Sequence, residues 1–87
     1  MKLVDVTKIE TIEEMENIAN ASYIIQIRGL LKELKSNEMW YSEFMAEKYY
    51  LDEQYDKIIA EFNRGRRPRK LLANYIKDSK PFFKYLE

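Results

Sequence analysis

An all-α fold is what this sequence predicts: a small bundle built on a long antiparallel helical hairpin, with a basic helical C-terminal segment. Three observations predict it. Apolar residues recur at steps of three and four over most of the chain, which keeps side chains on one helical face. Two glycines and two prolines in 87 residues supply little turn material for a many-stranded fold. The one internal link without apolar periodicity between the two longest helical patterns, Ser36-Asn37, is short enough to make them antiparallel neighbours. The whole chain, residues 1–87, is read as one helical domain.

The stretch from Asn37 to Gly65 organises the rest. Tyr41, Phe44, Leu51, Tyr55, Ile58 and Phe62 form one stripe, and Lys48 fills the single gap in it. A helix of about 25 residues at 1.5 Å each spans nearly 40 Å. Asn37 is expected to cap its start. Gly65 is expected to end it, because glycine enters the left-handed conformation without a Cβ clash.

Before it, residues 1–10 are β-branched and partly alternating, and predict an extended arm or short strand. Thr11-Ile12-Glu13-Glu14 is a capping box that starts a helix at Ile12. Met15, Ile18, Ala19 and Ala21 give one apolar strip; Ile24, Ile27, Leu31 and Leu34 give a second that does not align with it. A kink around Asn20-Ala21-Ser22 is therefore expected, with the helix resuming to about Lys35. The second strip is expected to pack against Tyr41, Phe44, Leu51 and Tyr55. Gly29 costs on the order of 1 kcal/mol against alanine, and its small size would admit a close neighbour. The hairpin thus covers residues 12–63.

Residues 64–87 form the basic tail. Pro68 fits the first turn of a helix, whose apolar face is Leu71, Leu72, Tyr75 and Ile76. Asp78-Ser79-Lys80-Pro81 is expected to break it, with Ser79 capping a short last helix that carries Phe82, Phe83 and Leu86.

The net charge is zero, but it is divided. Residues 1–62 carry 13 acidic and 7 basic side chains; residues 63–87 carry 8 basic and 2 acidic. Such asymmetry points to a polyanion or an acidic partner for the basic part, or to attraction between the two parts, within one molecule or between copies.

The strongest functional signal is Arg64, Arg66, Arg67, Arg69 and Lys70, because guanidinium forks match phosphate geometry. Lys80 and Lys84 extend the set. The alternative for Arg64–Lys70 is a solvated loop whose arginines pair with the acidic helices. Arg64-Gly65-Arg66-Arg67-Pro68 resembles the Arg-Gly-Arg-Pro core of the AT-hook minor-groove motif, with one arginine inserted. Leu72, Ala73, Ile76, Ser79, Phe83 and Leu86 resemble the spacing of a helix-turn-helix unit. That resemblance implies a recognition helix holding Lys80, Pro81, Phe82, Lys84 and Tyr85, although Lys77-Asp78 stands where the motif has glycine and an apolar residue. The alternative is a broken terminal helix whose aromatics close the bundle.

A third signal is aromatic. Trp40, Tyr49 and Tyr50 fall off the central stripe, and aromatics with a polar handle are enriched at protein interfaces. Tyr50 is expected to pack on the N-terminal helix or arm of its own chain; Trp40 and Tyr49 are left as protein-binding residues.

Catalysis is not expected. With no histidine and no cysteine, the usual general base and the thiolate nucleophile are missing. Glu43/Glu47 and Asp52/Asp56 are one turn apart, but a carboxylate metal site needs several converging elements. No cofactor and no metal is implied, and no apolar run reaches the length of a membrane span. The expectation is a cytoplasmic, non-enzymatic binding protein that contacts nucleic acid through its basic tail, pairing as a homodimer. The alternative is an inhibitor or adaptor that meets a charged protein partner through its acidic helices and exposed aromatics, in the style of small accessory proteins of phages and mobile elements.

Overall fold

A computed structural model describes residues 11–86 of the protein. The expected arm or strand over residues 1–10 lies outside the described residues. The architecture is all-α, as expected: α1 (Ile12–Lys35), α2 (Tyr41–Asn63), α3 (Arg69–Ser79) and a terminal 3-10 segment, η1 (Lys80–Leu86). No described helix is long and apolar enough to cross a membrane.

The capping box forms at one of its two bonds: the Glu14 amide donates to Thr11 Oγ1 at 3.2 Å. From there α1 runs unbroken for 24 residues, so the expected kink at residues 20–22 is absent. The reason lies in which face is buried. Met15, Ala19, Ser22, Gln26 and Gly29 are all buried, at steps of four, three, four and three. That face is continuous only if two polar residues belong to it. Ser22 Oγ and Gln26 Nε2 both donate to the Tyr75 carbonyl, each at 3.2 Å, and so tie α1 to α3. The apolar strip expected to pack inward is split: Ile27 and Leu34 are half-buried against the core, while Ile24 is 49% exposed and Leu31 38%.

α1 and α2 end in the same way. At α1, Glu38 N–H donates to the Glu33 carbonyl and Asn37 N–H to the Leu34 carbonyl. At α2, Arg66 N–H donates to Glu61 and Gly65 N–H to Phe62. Both are Schellman motifs, with Asn37 (φ 59°) and Gly65 (φ 75°) in the left-handed position. Asn37 therefore terminates α1 and does not cap α2, whose N-cap is Trp40 with no side-chain capping bond. Asparagine suits either role, which is why its residue type did not decide between them. An added Cβ at Gly65 meets nothing within 4 Å. Gly65→Ala is thus expected to cost only backbone strain, about 1 kcal/mol, read as a lower urea midpoint at unchanged m-value.

Phe44, Leu51, Ile58 and Phe62 of α2 are buried with Met15, Ala19 and Leu30 of α1 and Leu72, Tyr75 and Ile76 of α3. Tyr41, expected in this stripe, is exposed. The α1–α2 seam is antiparallel and partly polar. Tyr23 Oη donates to Asp52 Oδ1 at 2.8 Å, Lys48 Nζ reaches Asp52 Oδ2 at 2.8 Å, and Tyr55 Oη bonds Asn20. The Lys48 ammonium and the Tyr23 hydroxyl hold the Asp52 carboxyl below its ordinary range. Lys48 thus interrupts the apolar stripe because it meets this carboxylate at the seam.

α3 passes directly into η1 without a turn. Ser79 is buried and its hydroxyl donates back to the Ile76 carbonyl at 2.6 Å, so it caps no following helix. The helix-turn-helix spacing is therefore not realised as two α-helices. Pro68 is the N-cap of α3 rather than its first residue, and its carbonyl accepts from the Leu72 amide. η1 lies on α1. Phe82 covers Gly29, where an added Cβ would come within 2.2 Å of the ring. Tyr85 Oη donates to Glu33 Oε1 at 3.2 Å, and Lys32 Nζ donates to the Tyr85 carbonyl at 3.0 Å. Burial and the carboxylates of Glu33 and Glu38 push the Tyr85 phenol up to about 12.

Near the end of α3, desolvation raises the Asp78 carboxyl above its ordinary value. A raised carboxyl pKa in the folded state favours the protonated form. Its stabilising contribution is complete below about pH 4 and is lost as pH rises through the raised value. The C-terminal end of a helix also disfavours an anion. Asp78→Asn is therefore expected to raise the melting temperature at neutral pH, with the gain shrinking on acidification as Asp78 becomes neutral. Thermal melts at pH 7 and pH 4 check this.

Candidate nucleic-acid interface

The basic segment emerges from the Schellman turn of α2. That turn folds Arg66 back over the last turn of the helix. Arg64 Nη1 and Arg66 Nη1 each approach Glu61 at 3.3 Å, one carboxylate oxygen apiece. Two guanidiniums thus share a single carboxylate and leave local positive charge in excess. Their side chains are 63% and 66% exposed, against 24% for Glu61. Ion pairs at this exposure contribute on the order of 0–1 kcal/mol and leave the donors open to competition. Arg67 and Arg69 also have partners within the chain; Arg67 is exposed and Arg69 half-buried.

After the turn only Arg66, Arg67 and Pro68 separate α2 from α3. Arg69 and Lys70 then open α3, and no acidic residue stands in its first turn. Cations there add to the positive end of the helix dipole, an arrangement that costs a few tenths of a kcal/mol unless an anion is near. The run that resembles an AT-hook core is folded into a helix-ending turn, so it presents its forks from a surface and not as an extended strand.

Lys80 and Lys84 are exposed but lie apart from this cluster. With 11 residues of α3 at 1.5 Å and part of η1 at ~2 Å each, Lys84 is on the order of 25 Å farther along. There it meets residues that sequence reasoning left out. Lys84 Nζ and Lys32 Nζ sit 5.0 and 5.6 Å from the centroid of the Tyr85 ring. A groove of about 420 Å³ beside them is lined by Ile25, Leu31, Phe82 and Tyr85, with Arg28, Lys32 and Lys35 at its rim. The signal was there as Arg28-Lys32-Lys35 at i, i+4 and i+7. It was hidden by counting charge over all of residues 1–62.

The aromatics sit elsewhere. Trp40 is 76% and Tyr49 72% exposed. Trp40 and Arg64 flank the two ends of α2, whose 23 residues span about 35 Å. Tyr50 borders a cleft lined by Gln26 and Leu30 of α1, Asp78 of α3, and Pro81 and Phe82 of η1, so it stands over the N-terminal helix and the tail together. Of the one-turn carboxylate pairs, Asp52 is turned to Tyr23 and Lys48. Among the described residues no three metal-ligating side chains converge.

No family model, no curated protein and no solved structure matches this chain.

Proposed function

We propose that this chain is a small non-enzymatic binding protein, acting in the cytoplasm, that contacts the phosphate backbone of a nucleic acid through Arg64, Arg66, Arg67, Arg69 and Lys70. The observation that carries this reading is the pair of well-exposed guanidiniums held against one carboxylate at the start of a cation-rich helix. A phosphate displaces Glu61 from either arginine without burying a charge, and releases counterions from its own backbone as it binds. Lys80 and Lys84 extend the contact along α3 and η1. The test is an electrophoretic mobility shift with random duplex DNA, single-stranded DNA and RNA at two salt concentrations. Binding that weakens steeply with salt is expected. Unshifted mobility of every nucleic acid at low salt overturns the reading.

The exposure of Trp40 and Tyr49 favours a second reading, an inhibitor or adaptor that holds a protein partner on the acidic helices. The two are separable because Trp40 lies at the other end of α2 from Arg64, and Tyr49 lies in the half of the helix nearer Trp40. Trp40→Ala and Tyr49→Ala should leave nucleic-acid binding intact under the first reading and abolish partner binding under the second.

A further inference from the structure

A groove opens where η1 lies across α1. Its floor is apolar: Ile25 and Leu31 of α1 line it with Phe82 and Tyr85 of η1. The two rings are near parallel, with centroids 6.4 Å apart and planes at 26°. At about 420 Å³ the groove falls within the usual size of a small-ligand cleft. Its rim is cationic. Arg28, Lys32 and Lys35 border it at i, i+4 and i+7, all exposed, so they follow one side of α1 over roughly 10 Å.

Part of this charge has a local reason. Lys32 and Lys35 sit in the last turn of α1, where the helix dipole favours cations, and Lys32 also donates to the Tyr85 carbonyl. Arg28 has neither reason. Among the described residues no carboxylate lies within ion-pair distance of Arg28 or Lys35. The acidic neighbours, Glu33 and Glu38, gather at the phenol end of Tyr85, whose hydroxyl lies 3.2 and 3.4 Å from them. Such a site fits an occupant with a flat, weakly polar body and an anion on each side of it. Residues 1–10 carry Lys2 and Lys8 against Asp5 and Glu10, and so bring no net negative charge.

We infer that the groove seats a base of a single-stranded nucleic acid, with the flanking phosphates on Arg28 and Lys35. The inference rests on the reading that the Arg64–Lys70 surface holds a nucleic acid, and it gives that ligand a form. Bases of a duplex are stacked inside it and cannot enter a side-chain groove; unpaired bases can, and they stack on aromatic rings. Lys32 and Lys84, 5.6 and 5.0 Å from the centroid of the Tyr85 ring, give up the ring to the base and turn to phosphates, since an exposed cation–π contact is weak. The tail links the two sites. Lys70, Lys77, Lys80 and Lys84 are exposed along α3 and η1, and Asp78 is the one carboxylate among the described residues there. That continuity favours a phosphate strand over an acidic peptide, which would need the groove alone.

Three probes test it on the full chain at one salt concentration: an oligothymidylate of about 15 nucleotides, a duplex of the same length, and the same single strand with an abasic site in place of every base. The base-bearing strand should bind about tenfold tighter than the abasic one, or more. Arg28→Gln with Lys35→Gln should lower single-strand affinity by about tenfold, leave duplex affinity unchanged and keep the helical circular dichroism. Equal binding of the base-bearing and abasic strands overturns the inference, as does an equal fall for strand and duplex in the double variant. Either result leaves the Arg64–Lys70 reading standing; that reading falls, and the inference with it, when no nucleic acid binds at low salt. Displacement of the strand by an equal concentration of a peptide rich in glutamate and phenylalanine assigns the groove to a protein segment and likewise overturns the inference.

Discussion

Gly29→Ala is expected to destabilise the protein even though alanine is the better helix former. The added Cβ would lie 2.2, 2.6 and 2.8 Å from Cδ1, Cγ and Cβ of Phe82. Rotating the ring does not relieve a clash that includes its own Cβ, so η1 must lift from α1. Lifting exposes Phe82 and breaks the contacts of Tyr85 with Lys32 and Glu33. Overpacking of this kind costs ~1–3 kcal/mol, against a helix-propensity gain of about 1. The sign is decided by Phe82, and a double-mutant cycle reads it. In a Phe82→Ala background the clash is gone and Gly29→Ala should become stabilising by up to ~1 kcal/mol. The Tyr85 phenol gives an independent readout: ultraviolet titration of Gly29→Ala should show it falling from about 12 towards the ordinary tyrosine value. Equal effects of Gly29→Ala in both backgrounds would show that η1 does not rest on α1.

Leu72→Ala is expected to cost more, ~2–5 kcal/mol, because Leu72 is the fully buried residue of α3 in the core that α3 shares with the hairpin. A domain of this size has only ~4–13 kcal/mol of stability in total. The loss should lower the denaturant midpoint strongly. It should also weaken nucleic-acid binding, since α3 anchors Arg69 and Lys70. Leu71→Ala, one residue earlier on the exposed side, is the control and should change either property little.

The helices were legible in the sequence where local chemistry decides them. The Thr11 cap, the glycine ending α2, and Phe44, Leu51, Ile58 and Phe62 all stand as read. What periodicity could not show was the buried face of α1. Its cleanest apolar spacing is split, with Ile27 and Leu34 on the core and Ile24 and Leu31 exposed, while Ser22 and Gln26 face in because a carbonyl 49 residues beyond Gln26 accepts their hydrogen bonds. The same limit applies to the cation clusters. Arg64 and Arg66 could be read together because a single turn joins them. Lys84 joins Lys32 through a tertiary contact across 52 positions, and no local pattern announces it.

The salt dependence of nucleic-acid binding tests the central claim most directly. The claim is that exposed arginines at the α2–α3 connection hold phosphates. Each phosphate neutralised contributes about −0.9 to the slope of log K against log salt on duplex DNA. Changing Arg64, Arg66 and Arg67 together to glutamine should leave folding intact and make that slope shallower by about 2–3. Equal slopes for the variant and the wild type would contradict the claim.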